Sequence, residues 1–287
     1  ADSAVNGPLD GISLLAGDDT LTVTGGFTAL DGGAGVDAID FSGVGAFALT
    51  LDLETGAATD PSTGAAATVT GFEVVTGTDV DAFGDDIRAD LAGGSVTLIG
   101  LLGDDTLGGS TSADRLDGGD GNDRLSASAG SDEILGGDGS DTVFAGGGND
   151  TVTGGAGDDV IELEAGIDLV IAGPGSDSVR GTGVNTVDYS AFSDGVTVTG
   201  GDGASFEVLD AQGATDTLVG IDAIIGTNFA DSFTGSIGSD DFQGGDGDDS
   251  VTLSGGSDTL DGGGGLDVLT LVSRTGAGFN LSLSAGT

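Results

Sequence analysis

The sequence predicts an all-β fold, a parallel β-solenoid of short coils interrupted by β-rich inserts. Nine consecutive nine-residue blocks run from Gly100 to Arg180, each with Asp at the sixth place and an aliphatic residue at the eighth. Several blocks open with Gly-Gly, as in GGDGNDRLS (118–126), and Gly permits the positive φ of a tight turn. The seventh to ninth places then form a short strand whose middle residue alone faces the interior. Two blocks therefore make one coil, and residues 18 apart stack on one another.

The same nine-residue register recurs near both ends of the chain. Residues 5–40 form four blocks, in which Thr28 replaces one acid, and residues 226–270 form five. The acid is therefore kept in 17 of 18 blocks, which is far beyond chance. A fixed period beside turn glycines is not expected of ordinary surface charge, so all of these acids are candidate functional residues. They are Asp10, Asp19, Asp37, Asp105, Asp114, Asp123, Asp132, Asp141, Asp150, Asp159, Asp168, Asp177, Asp231, Asp240, Asp249, Asp258 and Asp267.

Two segments between the ladders of blocks are related to each other. GFEVVTGT (71–78) aligns with GIDAIIGT (220–227) without a gap, and DFSG (40–43) matches DYSA (188–191). Apolar residues alternate strictly over residues 47–53 and again in the second segment. A period of two indicates half-buried β-strands, so both inserts are predicted to be rich in strands.

The chain is therefore predicted to alternate between ladders and inserts. The predicted parts are a short ladder (1–40), an insert (41–99), a central ladder (100–180), a related insert (181–225), a third ladder (226–270) and the truncated start of a third insert (271–287). The last part again alternates apolar residues, at Phe279, Leu281 and Leu283. Because this larger repeat starts within a ladder and stops within an insert, we expect the native polypeptide to continue beyond at least one end.

The charge balance excludes several classes of partner. Acids outnumber bases 49 to 5, which gives a formal net charge of −44. Such a chain repels nucleic acid and anionic membranes, and the sequence has no apolar run long enough for membrane insertion. Its self-repulsion also opposes any compact state. The regular aliphatic positions nevertheless indicate a folded protein, so we expect folding to depend on bound multivalent cations.

Calcium fits the predicted turns better than other metals do. It takes about six to eight oxygen ligands from carboxylates and carbonyls in flexible geometry. Two stacked turns supply that set jointly, each with one Asp and two inward carbonyls. Magnesium demands a small rigid octahedron with retained waters, and zinc prefers His or Cys, neither of which occurs in the sequence. The sequence therefore predicts multiple calcium ions bound by the sixth-place acids.

The two edges of the central ladder differ in their turns. The blocks that start at 118, 136, 154 and 172 carry the full or nearly full glycine turn. The blocks that start at 109, 127, 145 and 163 lose Gly at places where carbonyls must turn inward. We expect tighter calcium sites on the first edge and weaker or missing sites on the second, with the turn at Leu163 the poorest.

The nonapeptide ladders resemble the calcium-binding repeat of repeats-in-toxin (RTX), or haemolysin-type, proteins, and blocks such as GGDGNDRLS (118–126) carry the resemblance. It implies parallel β-rolls filled with calcium, in a protein that is secreted and lies outside the cell or on its surface. It also implies a type I-like exporter, with the chain unfolded inside the cell and folding outside, where calcium is abundant. The C-terminal export signal usual in that family is not visible in this sequence.

The sequence favours a structural function over catalysis. No His, Cys or Lys is present to act as base or nucleophile, so we expect no enzymatic activity. Among the acidic pairs, Asp18–Asp19 falls where a turn needs it, whereas Asp85–Asp86 lies in an insert and leaves an extra metal site open. The first hypothesis is part of a large extracellular adhesin, surface-layer or filament protein that self-associates. The second is a calcium-triggered folding and secretion module of a larger enzyme or toxin.

Overall fold

Every regular element of the structure is a β-strand. The computed structural model describes residues 3–5, 11–44, 48–79, 84–89, 93–201, 205–272 and 279–284. No helix occurs within these segments. The chain divides into two compact units, residues 1–150 and 151–287, and parallel strand pairing dominates each of them. The predicted fold class, an all-β parallel solenoid, is therefore confirmed.

The first unit stacks its strands at the spacing of two blocks. In one sheet the strand at 106–108 pairs in parallel with 124–126, which pairs with 142–144. In the other sheet the strands at 115–120 and 133–138 pair in the same way. The strands of this unit are β1 (Ser3–Val5), β2 (Ile12–Ser13), β3 (Thr20–Val23), β4 (Ala29–Asp31), β5 (Ala38–Asp40), β6 (Thr50–Asp52), β7 (Ala57–Thr59), β8 (Ala66–Thr70), β9 (Val74–Thr76), β10 (Asp86–Arg88), β11 (Thr97–Leu102), β12 (Thr106–Gly108), β13 (Arg115–Asp120), β14 (Arg124–Ser126), β15 (Ala129–Gly130), β16 (Glu133–Asp138) and β17 (Thr142–Gly148).

The second unit repeats this arrangement. The strands at 232–234, 250–253 and 268–271 pair in parallel on one side, and those at 241–243, 256–261 and 279–284 on the other. The strands of this unit are β18 (Thr151–Ala156), β19 (Val160–Ile171), β20 (Ser178–Asp188), β21 (Thr197–Gly200), β22 (Ser205–Leu209), β23 (Thr215–Val219), β24 (Ala223–Ile225), β25 (Ser232–Thr234), β26 (Asp241–Gln243), β27 (Ser250–Leu253), β28 (Gly256–Asp261), β29 (Val268–Leu271) and β30 (Phe279–Ser284).

The eighth-place residues form the core of each unit. In the third ladder Phe233 and Phe242 are each 1% exposed, and their stacked rings lie 4.4 Å apart between centroids. Burying one such side chain contributes about 1.5–3 kcal/mol, so the core fixes the strands and hence the acids that precede them. The buried residues of the central blocks are Leu107, Leu116, Leu125, Ile134, Val143, Val152, Ile161, Val170 and Val179.

Both inserts contain the same three-stranded antiparallel meander. In the first unit the strands lie in the order β4–β8–β7–β6–β10, with β7 antiparallel to its two neighbours. In the second unit the order is β20–β23–β22–β21–β25, with β22 antiparallel. The related segments GFEVV and GIDAII form β9 and β24, which each continue the opposite sheet in parallel. The inserts are thus rich in strands and share one topology, and Phe47 of the alternating run lies outside the described residues.

Candidate metal centre

The sixth-place acids stack along the edges of each unit and are tied together by one carboxylate oxygen. Oδ1 of Asp123 accepts a hydrogen bond from the backbone N–H of Asp105 at 2.7 Å, and Oδ1 of Asp141 accepts one from Asp123 at 2.7 Å. Each acid therefore binds the amide of the acid one coil earlier. The same bond joins Asp19 to Asp37, Asp114 to Asp132, Asp132 to Asp150, Asp159 to Asp177, Asp231 to Asp249, Asp240 to Asp258 and Asp249 to Asp267.

The second carboxylate oxygen is buried without a protein donor at many of these acids. A Cβ on Gly100 would overlap both Oδ2 of Asp105 and the carbonyl oxygen of Gly118, so two acceptors converge there with no hydrogen between them. A buried acceptor without a partner costs about 1–3 kcal/mol, and more when it is charged. Within the described residues, Oδ2 has no hydrogen-bond partner in Asp37, Asp105, Asp123, Asp132, Asp240 and Asp249.

Backbone carbonyls supply the remaining oxygens between stacked turns. Gly119 and Gly121, at the second and fourth places, have φ of 106° and 144°, which Gly alone adopts readily. A Cβ on either residue would overlap the carbonyl oxygen of the turn below, that of Leu101 or of Gly103. The glycines are therefore required because carbonyl oxygens point into the space between the turns.

The acids of the stacks resist ionisation when no cation compensates them. Burial raises the pKa of Asp105 and of Asp177 to about 8, and that of Asp123, Asp132 and Asp249 to about 6. The amide that binds each Oδ1 lowers the pKa again, while neighbouring carboxylates raise it. The stacks therefore carry unfavourable negative charge that a cation between the turns would relieve.

The donor set fits calcium. Among the described residues no group of three or more acidic side chains is placed to hold a metal ion by itself, so a site needs backbone carbonyls as well as carboxylates. Calcium accepts such mixed oxygen sets in flexible geometry, whereas zinc and magnesium do not favour them. The unpartnered Oδ2 atoms and the carbonyls of the second and fourth places would hold it. When bound, calcium supplies positive charge that neutralises the stacked carboxylates.

Most of the predicted site residues lie in these stacks. Asp19 is half-buried, Asp267 is exposed, and Asp10 lies outside the described residues. Stacking does not itself establish which acids bind calcium, so the ligand assignments stay predictions. The buried members are Asp37, Asp105, Asp114, Asp123, Asp132, Asp141, Asp150, Asp159, Asp168, Asp177, Asp231, Asp240, Asp249 and Asp258.

Three acids outside the nine-residue period continue the stacks into the inserts. Sequence analysis left Asp85 open as part of an extra metal site and did not single out Asp216 or Glu73. Asp85 donates its amide to Asp105 Oδ1, and Asp216 Oδ1 accepts from the amide of Asp177 at 2.9 Å. Glu73 accepts from the amide of Asp37 through Oε2 at 2.8 Å. Each lies two residues before an apolar residue, which is the local signal of the sixth place, but outside the nine-residue period. Asp86, by contrast, points outward and pairs with Arg88.

A second ladder of hydrogen bonds runs through the fifth places. Oδ1 of Asp104 accepts from the amide of Asn122, and Oδ1 of Asn122 accepts from the amide of Ser140, both at 2.8 Å. Asp158 and Asp248 make the same bond to the next coil. The fifth-place side chains thus tie the backbone of each turn to that of the turn in the next coil.

The turns of the second edge of the central ladder differ among themselves in backbone conformation. Over residues 163–168 the chain stays extended within β19, with a register shift between Glu162 and Ala165 in its pairing with β20. By contrast, the turn of the block at 127 keeps positive φ at Ser128 (79°) and Gly130 (154°). The expected ranking of calcium affinities along the two edges stays a prediction.

The fold and the stacked carboxylates define a metal-binding parallel β-solenoid. A family model described as the RTX calcium-binding nonapeptide repeat matches residues 99–134, 135–170, 153–187, 216–251 and 234–269, about half of the chain. The chain therefore belongs to the RTX calcium-binding repeat family, which supports calcium as the cation. The comparison with curated proteins found no match. Among the described residues, no helix is long and apolar enough to cross a membrane.

Proposed function

We propose that this is a secreted calcium-binding repeat protein with a structural role. It forms part of a large extracellular adhesin, surface-layer or filament protein, reached through a type I-like exporter, whose folding and self-association depend on calcium. The proposal includes no catalytic role, because the buried acids bind backbone amides within the stacks and are the proposed calcium ligands.

One observation carries the structural role. The two inserts repeat the same meander, each placed between ladders of nonapeptides, so the chain is built from a larger unit of ladder plus insert. A module that only triggers folding needs the ladders alone. Repetition of a composite unit instead suits an extended protein that presents the same surface several times.

The calcium dependence follows from the charge of the stacks. Binding cations to sites that form only in the folded state adds their binding free energy to folding. Cell interiors hold little free calcium, so the chain would stay unfolded during export and fold outside. The rival function is a folding and secretion module of a larger enzyme or toxin. It is supported only by the coupling between calcium binding and folding.

Electron microscopy with and without chelator tests the proposal. We expect polymers or lattices in millimolar calcium that disappear when calcium is removed. The charge-matched variants Asp123→Asn/Asp141→Asn and Asp120→Asn/Asp138→Asn separate stack acids from exposed acids, and only the first should weaken assembly. Strictly monomeric particles in calcium would contradict self-association, and a catalytic domain in the same reading frame would favour the module.

A further inference from the structure

Three aspartates begin stacks of acids where an insert gives way to a ladder. They are Asp85, Asp114 and Asp231. Each Oδ1 accepts a hydrogen bond from the backbone amide of the aliphatic residue just before a strand, β6, β11 or β21, at 2.7, 2.8 and 2.7 Å respectively. Those residues are Leu49, Val96 and Val196. Each stack therefore starts where the neighbouring strand offers no acid.

The first acid of the third ladder is held by a buried hydroxyl residue. The amide of Thr227 donates to Oδ2 of Asp231 at 2.7 Å, and the Thr227 hydroxyl lies 3.0 Å from Oδ1. Thr227 is fully buried and Asp231 is 3% exposed. Together with the amide of Val196, these groups satisfy both carboxylate oxygens. We call this arrangement of a Ser or Thr around the first acid a hydroxyl clasp.

The other two starting acids have the same clasp. The amide of Ser110 donates to Oδ2 of Asp114 at 2.5 Å, and its hydroxyl lies 3.0 Å from Oδ1. The amide of Thr78 donates to Oδ2 of Asp85 at 2.6 Å, and its hydroxyl lies 3.0 Å from Oδ1. In all three cases the Ser or Thr follows a Gly. Ser110 and Thr227 lie four residues before their acid, as the second Gly of a consensus block does, whereas Thr78 lies seven residues before Asp85.

Asp240, further along the third ladder, keeps only the hydroxyl bond, from Ser236 to its Oδ1 at 2.7 Å, and its Oδ2 has no partner among the described residues. Other acids further along lack the hydroxyl as well. The blocks of Asp123 and Asp249 open with Gly-Gly, and Oδ2 of each acid has no partner among the described residues. Their turns have positive φ at the second place, at Gly119 and Gly245, whereas the clasped turns have no such residue there. The hydroxyl thus accompanies a different turn, in which protein donors replace what a cation would supply.

We infer that the hydroxyl clasps close the first turns of the central and third ladders without calcium, and that calcium-dependent coils are added to these preformed starts. The inference rests on the proposed calcium-dependent folding and names the residues that regulate it. The clasped acids then keep their hydrogen bonds in place of an ion, and ordering proceeds from each insert toward the C-terminus of its ladder.

Residue-resolved hydrogen exchange of the full chain tests this inference, with calcium removed by chelation. The amides of Val96 and Val196, which donate to clasped acids, should stay protected. The amides of Asp105 and Asp123, which donate to unclasped acids, should become protected only when calcium is added. Equal, rapid exchange of both sets without calcium would overturn the inference.

Matched variants identify the hydroxyl as the cause. Thr227→Ala should speed exchange of the Val196 amide about tenfold without calcium, as expected for one buried hydrogen bond, and leave Val96 unchanged. Thr227→Ser keeps the hydroxyl and should behave like the parent chain, as should Ser232→Ala on the exposed face of β25. An unchanged Val196 amide in Thr227→Ala would refute the clasp.

Failure of the proposed function gives a distinct result. In that case calcium would alter exchange of neither set of amides, and the inference would fall with it. If calcium protects Asp105 and Asp123 while the clasped amides also need it, the proposed function stands and the inference alone fails.

Discussion

The two oxygens of each stacked carboxylate have separate tasks. Oδ1 of Asp123 accepts a hydrogen bond from the backbone amide of Asp105 and so fixes the register between neighbouring coils. Oδ2 of Asp123 faces neighbouring oxygens and has no hydrogen-bond donor. An amide side chain can perform the first task but not the second, because it carries no charge. The division explains why Asp recurs at this place in nearly every block.

Asp123→Asn should therefore have opposite effects with and without calcium. In calcium the variant loses a charged ligand. If the free calcium concentration is about 100 times the Kd of the site, loss of one bound ion lowers the free energy of unfolding by about 2.7 kcal/mol. Without calcium it should be slightly more stable than the parent, because burial raises the pKa of Asp123 to about 6 and makes its charge unfavourable. Thermal unfolding in both conditions measures this, with exposed Asp120→Asn as control. Destabilisation of equal size in both conditions would contradict a role as ligand.

Gly118→Ala should be far more costly than Gly94→Ala. A Cβ on Gly118 would overlap Oδ2 of Asp123 and the carbonyl oxygen of Gly136, whereas a Cβ on Gly94 meets open space. Forcing these oxygens apart should cost about 1–3 kcal/mol and lower calcium affinity. Calcium titration followed by circular dichroism compares the variants. Similar midpoints for both would show that the packing around Gly118 does not shape the site.

The nine-residue period of the sequence was enough to predict the stacked acids. A residue type that recurs at this spacing takes the same position in every turn of the solenoid. The places of Asp85 and Asp216 in the stacks could not be derived, because the inserts reach the same place through loops of other lengths. The hydroxyl clasp escaped for another reason. Ser110 belongs to a block whose loss of Gly predicted only a weak site, and only the hydrogen bonds of the structure reveal the role of its hydroxyl.

For the inserts, the sequence predicted the presence of strands but not the order in which they pair. Alternating apolar residues predicted strands, and Leu49, Leu51, Val196 and Val198 are indeed buried. The order of strands in the meander could not be derived, since it depends on pairing between β4 and β8 or between β20 and β23, far apart in sequence. Local periodicity carries no information about such pairing.

The two inserts differ at one pair of positions that changes together. In the second insert the Tyr189 hydroxyl donates to Oδ2 of Asp216 at 2.7 Å, and both residues are buried. The aligned residues of the first insert are Phe41 and Ala67, which lack both the donor and the acid. The hydroxyl and the carboxylate therefore form one unit that ends a stack of acids.

A double-mutant cycle at this pair should reveal their coupling. Tyr189→Phe alone should cost about 1–3 kcal/mol, because it leaves a buried carboxylate oxygen without its donor. In the background of Asp216→Ala the same change should cost much less, since it recreates the pair of the first insert. Denaturant unfolding in calcium measures the free energy of unfolding of all four proteins. Strict additivity would contradict the coupling.

At the scale of the whole molecule, calcium and protons compete for the same carboxylates. A formal net charge of −44 opposes compaction in both units, and the stacks concentrate part of it inside. Bound calcium and bound protons both remove that repulsion. Acid should therefore substitute in part for calcium, although only calcium also bridges the oxygens of neighbouring turns.

The stability of the calcium-free chain should fall as pH rises from about 5 to about 8.5. Burial raises the pKa of Asp105 and Asp177 to about 8 and that of Asp123, Asp132 and Asp249 to about 6, from 3.8. The folded state then holds more protons than the unfolded state in this range, so the favourable contribution present at low pH is lost as pH passes these values. The stabilisation added by calcium should follow the opposite trend, because protons no longer occupy its ligands at high pH.

Thermal unfolding across this range, with and without calcium, measures both trends. Asp105→Asn provides the control, since it removes one titrating group and should flatten the slope of the calcium-free chain. An exposed counterpart, Asp120→Asn, should leave that slope unchanged. If the calcium-free chain instead gained stability with rising pH, its buried acids would not be paying a charge penalty, and the reason for calcium-dependent folding would be lost.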